Sequence, residues 1–499
     1  MLATRRMWRA VATIAVVGVV ASPGLAACSS DDSSSTPPTT EALRELPAVT
    51  ATVTGPVSGG RGVPATAPVI DLAEHGYVEE EFFVSGEAVA YEPVGTLGAD
   101  GRWEVRETTT APYTTRILVR RPADAADFNG TVMVEWLNVS TGTDLDPDFA
   151  YADEEILRGY VWVGASVQPY GVENDVPKGD LGPSVAGITS LDPERYGSLD
   201  LPGDAYSYDI YTQVGALLLQ PGDVDPLGGL EPQVLLADGE SQGAMRLVSY
   251  VNAVQPLVGV YDGALIHSRD GTAAKFTGEG NDPDGLPAAV AIREDTTIPV
   301  LQVEAEADLY TLRSQDPRPF PPARQPDSDM VVTWELAGSA HTDRTHFGVI
   351  NAQMTRDFPD TPDLTALVET TADGQQRFVM RAALRALNDW VVDGVRPPSG
   401  EVIEVADGAI VRDELGIARG GIRPPVIAVP VEVNTSEGIR LLGTRTPLDP
   451  AVVIAQYPTS DDYLVVVTES VDELIAEGFL LEDDREEVIA DTMARYPGA

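Results

Sequence analysis

Hydrophobic and polar positions follow two rhythms along this chain. Short apolar runs, some alternating and some continuous, predict β-strands at 81–91, 115–121, 131–137, 160–165, 233–237, 261–266, 299–303 and 331–336. Pro122 stops the second of these, and the turn pair Asn129-Gly130 opens the third. Apolar spacing of three and four residues predicts helices at 151–158 and 208–219. Another follows the turn 239–243, with Ala244, Leu247, Val248, Val251 and Val254 on one face, and a last one ends near Val392 with Met380, Leu384, Leu387 and Val391 in register. Short strands alternating with longer helices are the mark of an α/β fold, a mainly parallel sheet covered by helices. The stretch at 171–204, dense in Pro, Gly and Asp, has the length of a functional loop, and it and the connection at 269–297 are the expected lid and pocket walls. No repeat of solenoid or propeller period occurs.

The first fifty residues follow neither rhythm. Arg5, Arg6 and Arg9 precede an apolar run at 10–20, and small residues lead to Leu25-Ala26-Ala27-Cys28. This pattern resembles the lipobox of bacterial lipoproteins. The apolar run is short for a bilayer span and is broken by Ser22, Pro23 and Gly24. Cys28 is the single cysteine, so it has no internal disulfide partner, and its place after small residues suits lipid attachment. The expected division is a signal peptide at 1–27, a disordered tether at 28–48, the α/β domain at 49–395 and a C-terminal extension at 396–499 packed on that domain. The protein is then expected on the outer face of the cytoplasmic membrane, held through Cys28, or secreted.

Charge narrows the partners. With 78 acidic residues against 33 basic ones, the formal net charge of -45 repels polyanions, which argues against nucleic acid. Lys178 and Lys275 are the only lysines. No H-E-x-x-H or clustered His/Cys pattern occurs, so neither metal nor cofactor is expected. Asp144, Asp146 and Asp148 lack the glycine and terminal glutamate of an EF-hand loop and read as a solvated loop.

One turn carries chemistry. Gly239-Glu240-Ser241-Gln242-Gly243 fits G-x-S-x-G between an apolar strand and an amphipathic helix, an arrangement that projects a serine hydroxyl from a strained turn. The helix beginning there directs N–H groups and its positive dipole end at a developing oxyanion, making the Gln242 N–H one expected donor. A serine needs a base. Of four histidines, His341 follows the strand at 331–336 on a loop at its carboxyl end, where open α/β sheets place reactive groups. His346 is the alternative base, while His267 and His75 read as structural. The acid that orients the base is expected in the loop after the strand at 299–303, with Asp308 as first choice and Glu306 and Glu304 as alternates. A second oxyanion donor is expected from the backbone of Asn138 or a neighbour, in a loop without the His-Gly pair common in lipases and esterases.

With these residues in hand, the chain resembles the α/β-hydrolase superfamily and, more narrowly, the bacterial proteins called "alpha/beta hydrolase domain" proteins. The narrower likeness rests on Tyr113-Thr114-Thr115-Arg116, Val134-Glu135-Trp136-Leu137-Asn138-Val139-Ser140, Asp192-Pro193-Glu194-Arg195-Tyr196-Gly197, Gly203-Asp204-Ala205-Tyr206-Ser207-Tyr208-Asp209 and Ala418-Arg419-Gly420-Gly421-Ile422-Arg423. The resemblance implies an α/β-hydrolase fold and a serine hydrolase but no substrate, because this fold hosts many chemistries. With Ser241, His341 and Asp308 as the expected triad, the expected reaction is cleavage of a small-molecule, ester-like substrate, a carboxylic ester, through an acyl-enzyme. A lipid-anchored binding protein that keeps the fold without the activity is the second reading.

Overall fold

A computed structural model describes residues 46–48, 50–173, 185–277, 285–310, 318–439 and 441–497. The expected signal peptide, Cys28 and most of the tether lie outside the described residues.

Nine strands form one sheet: β1 (Thr52–Thr54), β2 (Tyr77–Pro93), β3 (Val105–Pro122), β4 (Thr131–Trp136), β5 (Val161–Ala165), β6 (Val234–Glu240), β7 (Gly263–His267), β8 (Val300–Ala305) and β9 (Val331–Leu336). Their spatial order is β1-β2-β3-β5-β4-β6-β7-β8-β9. The pairs from β1 to β5 are antiparallel, and every pair from β5 onward is parallel. The parallel strands are nearly continuous apolar runs because helices cover both of their faces.

On one face lie α2 (Ser207–Leu219) and α3 (Gln242–Ser249), and their Tyr211, Val214, Leu247 and Val248 share a core with Val134, Leu235 and Ile266. On the other, α1 (Pro147–Ile156), α4 (Arg344–Asp357) and α5 (Gln376–Asp393) enclose the site described below; Phe149, Ile156, Leu384 and Leu387 pack there on Met133, Leu236 and Leu265. After α3 the helix widens into a π-type turn at 250–254, a departure from the regular helix predicted there.

The described residues from Leu46 onward pack as one unit. Beyond α5, Ile422 bridges in parallel to Leu336 of β9, and Val431, Val453, Tyr463 and Val467 enter the same core as α1 and α5. Among the described residues, no helix is long and apolar enough to cross a membrane.

Several strands outrun their expected limits. β2 and β3 form a long hairpin, 17 and 18 residues, and β6 continues through Asp238 to Glu240. The polar end of β6 is buried, so an apolar pattern could not register it. The solvated reading of Asp144, Asp146 and Asp148 is corrected too: all three are buried. Arg116 and Arg120, projecting from β3, are also fully buried. Arg116 meets Asp144 at 2.9 Å and Glu81 at 3.1 Å; Arg120 meets Asp146 at 2.6 Å and Glu79 at 2.9 Å. These pairs tie the loop after β4 to the sheet, and removing one partner would strand a buried charge.

Candidate active site

Ser241 sits between β6 and α3 with φ 53° and ψ -107°, in a region of backbone space that few non-glycine residues occupy. Its N–H donates to His267 O at 2.9 Å, and its carbonyl accepts from Met245 N–H at 3.1 Å. The flanking glycines are required by close approach. A Cβ at position 243 would lie 2.6 Å from Trp136 O, and one at 239 would lie 3.0 Å from the Gly243 carbonyl carbon. The turn therefore presses the start of α3 against the end of β4, and Ser241 is left half-buried.

The loops after β8 and β9 deliver the partners. His341 Nε2 lies 2.8 Å from Ser241 Oγ, and its Nδ1 lies 2.7 Å from Asp308 Oδ1. The other Asp308 oxygen accepts the Ala305 N–H at 2.7 Å, which fixes the carboxylate against the end of β8. A hydroxyl, an imidazole and a carboxylate thus converge from three loops at the carboxyl edge of the sheet, the arrangement that can activate a serine for attack on a carbonyl.

The alternate residues go elsewhere. Glu306 accepts from Gly338 N–H at 2.6 Å and Ser436 Oγ at 2.7 Å and pairs with Arg412 at 2.8 Å. Glu304 faces Arg269 at 3.9 Å, and burial and the charge of Asp308 hold its carboxyl well above the usual range. His346 lies in the first turn of α4, against the Tyr151 ring; burial, then the nearby His267 and His341, push its pKa down to about 3. His75 is exposed.

The expected oxyanion donors need one correction. Gln242 opens α3 directly after the serine. The Asn138 N–H, however, donates to Leu145 O at 3.1 Å, closing a bridge across the loop, so it is already spent. The next amide, Val139 N–H, reaches Gln242 Oε1 at 3.3 Å. The contribution of Asn138 comes instead through its side chain, whose Nδ2 donates to Glu240 Oε2 at 2.7 Å.

That contact leads to a row of buried ionisable groups beneath the serine, which the sequence reading did not assemble. Glu240 Oε1 is 3.5 Å from His341 Nε2. Burial raises the Glu240 carboxyl well above the usual range, against the pull of His267. Beside it, His267 Nδ1 meets Asp148 Oδ1 at 2.6 Å, and its Nε2 lies against the Gln376 side-chain amide at 2.8 Å. Burial opposes charge on His267, yet Asp148, then Glu240 and Asp308, raise its pKa.

Glu135 and Asp238 stand side by side on β4 and β6. Glu135 accepts N–H groups of Asp148 and Phe149 at the start of α1, both at 3.1 Å, and Trp162 Nε1–H at 2.8 Å. With Asp148, these two form a buried group of carboxylates whose ligand atoms lie within 4.8 Å of one another. Burial and the charges of Asp148 and Glu135 hold Asp238 well above its usual pKa. The available signal was the alternation along β6: Asp238 and Glu240, two residues apart, must share a face.

The family profile described as "Alpha/beta hydrolase domain" matches residues 53–490. The chain belongs to this family. Two crystal structures of mutants of the esterase rPPE are similar to it at 14% identity. One match covers 64% of this chain and 86% of the esterase chain, with a TM-score of 0.30. The other, complexed with (S)-Ac-CPA, covers 63% and 85%, with a TM-score of 0.31. No curated protein sequence matches the chain. As an alpha/beta hydrolase domain protein, it has the expected α/β-hydrolase fold, and the profile extends past α5 through most of the C-terminal segment.

Proposed function

We propose that this protein is a serine hydrolase of carboxylic esters that works through an acyl-enzyme on Ser241. The observation that carries the reading is the unbroken line from Asp308 through His341 to the Ser241 hydroxyl, at 2.7 and 2.8 Å, ending on a serine held in a strained turn. His341 accepts the serine proton as Oγ attacks the ester carbonyl, and Asp308 keeps Nδ1 protonated and balances the imidazolium. The Gln242 N–H and the Val139 N–H, once the Gln242 side chain yields to substrate, receive the oxyanion. His341 then protonates the leaving alcohol, and water releases the acid.

Ser241→Ala is expected to abolish both hydrolysis of p-nitrophenyl acetate and labelling by a fluorophosphonate probe. A wild-type protein that neither hydrolyses nor labels would overturn the proposal in favour of a binding role. Export and anchoring through Cys28 belong to the same reading. A diacylglyceryl group on Cys28 in mass spectra of the membrane fraction supports it, and an unmodified amino terminus beyond that residue refutes it.

A further inference from the structure

Resting on the serine-hydrolase reading, we infer that Glu240, steadied by Asn138, holds the water that frees the acyl group from Ser241. Once Oγ is acylated it has no proton to give, and His341 Nε2 is left with its lone pair facing the reaction space. The incoming water donates one proton to Nε2. Unless its second proton is also received, the water turns freely and its lone pair is not kept on the acyl carbon.

The Glu240 Oε1 atom is the receiver. It lies 3.5 Å from His341 Nε2, too far for a direct hydrogen bond and close enough for one water to reach both atoms. The carboxyl cannot swing away. Its other oxygen is held by Asn138 Nδ2 at 2.7 Å, the same nitrogen lies 3.3 Å from the Glu240 carbonyl, and the residue is fixed at the end of β6 beside the serine it serves. The role requires Oε1 without a proton: Oε2 accepts from Asn138, so a neutral carboxyl would carry its proton on Oε1, and the nearby His267 and the Asn138 amide favour the ionised form against the burial that opposes it.

The step balances. The water oxygen bonds to the acyl carbon, its proton passes to Nε2, and the carbonyl electron pair moves onto the oxyanion. That pair then returns, the C–Oγ bond breaks, and Oγ takes the proton from Nε2 as the carboxylic acid departs. Glu240 ends with the protons it began with.

The split between acylation and deacylation tests this. In Glu240→Gln the amide oxygen is drawn to Asn138 Nδ2, which turns the NH2 group, a donor, toward the water. Stopped-flow assays with p-nitrophenyl acetate should show a burst of one p-nitrophenolate per protein at nearly the wild-type acylation rate. Turnover should then be slower by about tenfold or more, with acyl-enzyme visible by intact mass. Asn138→Ala, which frees the carboxyl, should show the same split to a smaller degree and carries the test if the first variant does not fold. Acylation and turnover falling together, or neither falling, overturns the inference while leaving the triad reading in place. A wild type that never acylates overturns the triad reading itself.

Discussion

Asp308→Asn should lower kcat/KM for an activated ester by about a thousandfold or more while leaving the fold unchanged. The reason is the number of acceptors the position requires. Asp308 accepts at both oxygens, from Ala305 N–H at 2.7 Å and, at the same distance, from His341 Nδ1. Asparagine has a single acceptor. If its oxygen stays on the Ala305 N–H, the NH2 group faces Nδ1, the ring proton moves to Nε2, and the imidazole can no longer accept from Ser241. Turning the amide over restores the working tautomer but sets NH2 against a buried N–H. An unmet buried donor costs about 1–3 kcal/mol, which thins the competent form by about 5- to 150-fold. That form also lacks the negative charge opposite the imidazolium, worth about 4 kcal/mol at 4 Å and an effective dielectric constant of 20. The assay is kcat/KM with p-nitrophenyl acetate at neutral pH, together with fluorophosphonate labelling rates and circular dichroism. A folded variant keeping more than about a tenth of wild-type kcat/KM would refute the reasoning.

Gly243→Ala places a methyl group 2.6 Å from Trp136 O, so the serine turn must lift off β4; stability should fall by about 1–3 kcal/mol and esterase activity should be largely lost, as read by urea melts and p-nitrophenyl acetate. Arg116→Ala removes the cation from the buried Asp144, while Glu81 keeps Arg195, and should cost about 3–5 kcal/mol in denaturant unfolding; a loss too small to measure would contradict the burial of these pairs. His346 has its pKa pushed down to about 3, so the stability it contributes is complete above its unfolded value of 6.5 and drains away as pH falls through that window. The stability of wild type minus that of His346→Gln should therefore decline on acidification by up to about 1.4 kcal/mol per pH unit, and a difference flat with pH would remove the argument.

Local pattern carried much of this protein. Apolar periodicity located all eight predicted strands of the sheet, because a strand covered on both faces must be apolar over a short run whatever its neighbours are. It missed the short edge strand β1 and shortened β6, whose last residues are polar and buried. The order Ser241, Asp308, His341 could be read for a similar reason: each stands just past the carboxyl end of a strand, and parallel strands bring those ends to one edge. Choosing Asp308 over Glu304 and Glu306 rested on reach alone; in the tertiary structure Asp308 meets His341, Glu304 faces Arg269 and Glu306 turns toward Gly338 and Arg412.

The sequence by itself determined the layered α/β plan, the serine turn and the two loops that face it, since these follow from residue spacing within a single element. Only the tertiary structure decided what the charged residues do. Arg116 finds Asp144, Glu240 comes beside His341, Asp148 pairs with His267, and Asn138 turns its side chain rather than its backbone to the site. A carboxylate reads as solvated until its partner is known, and that partner is set by strand register and helix placement across more than a hundred residues, as between Asp148 and His267.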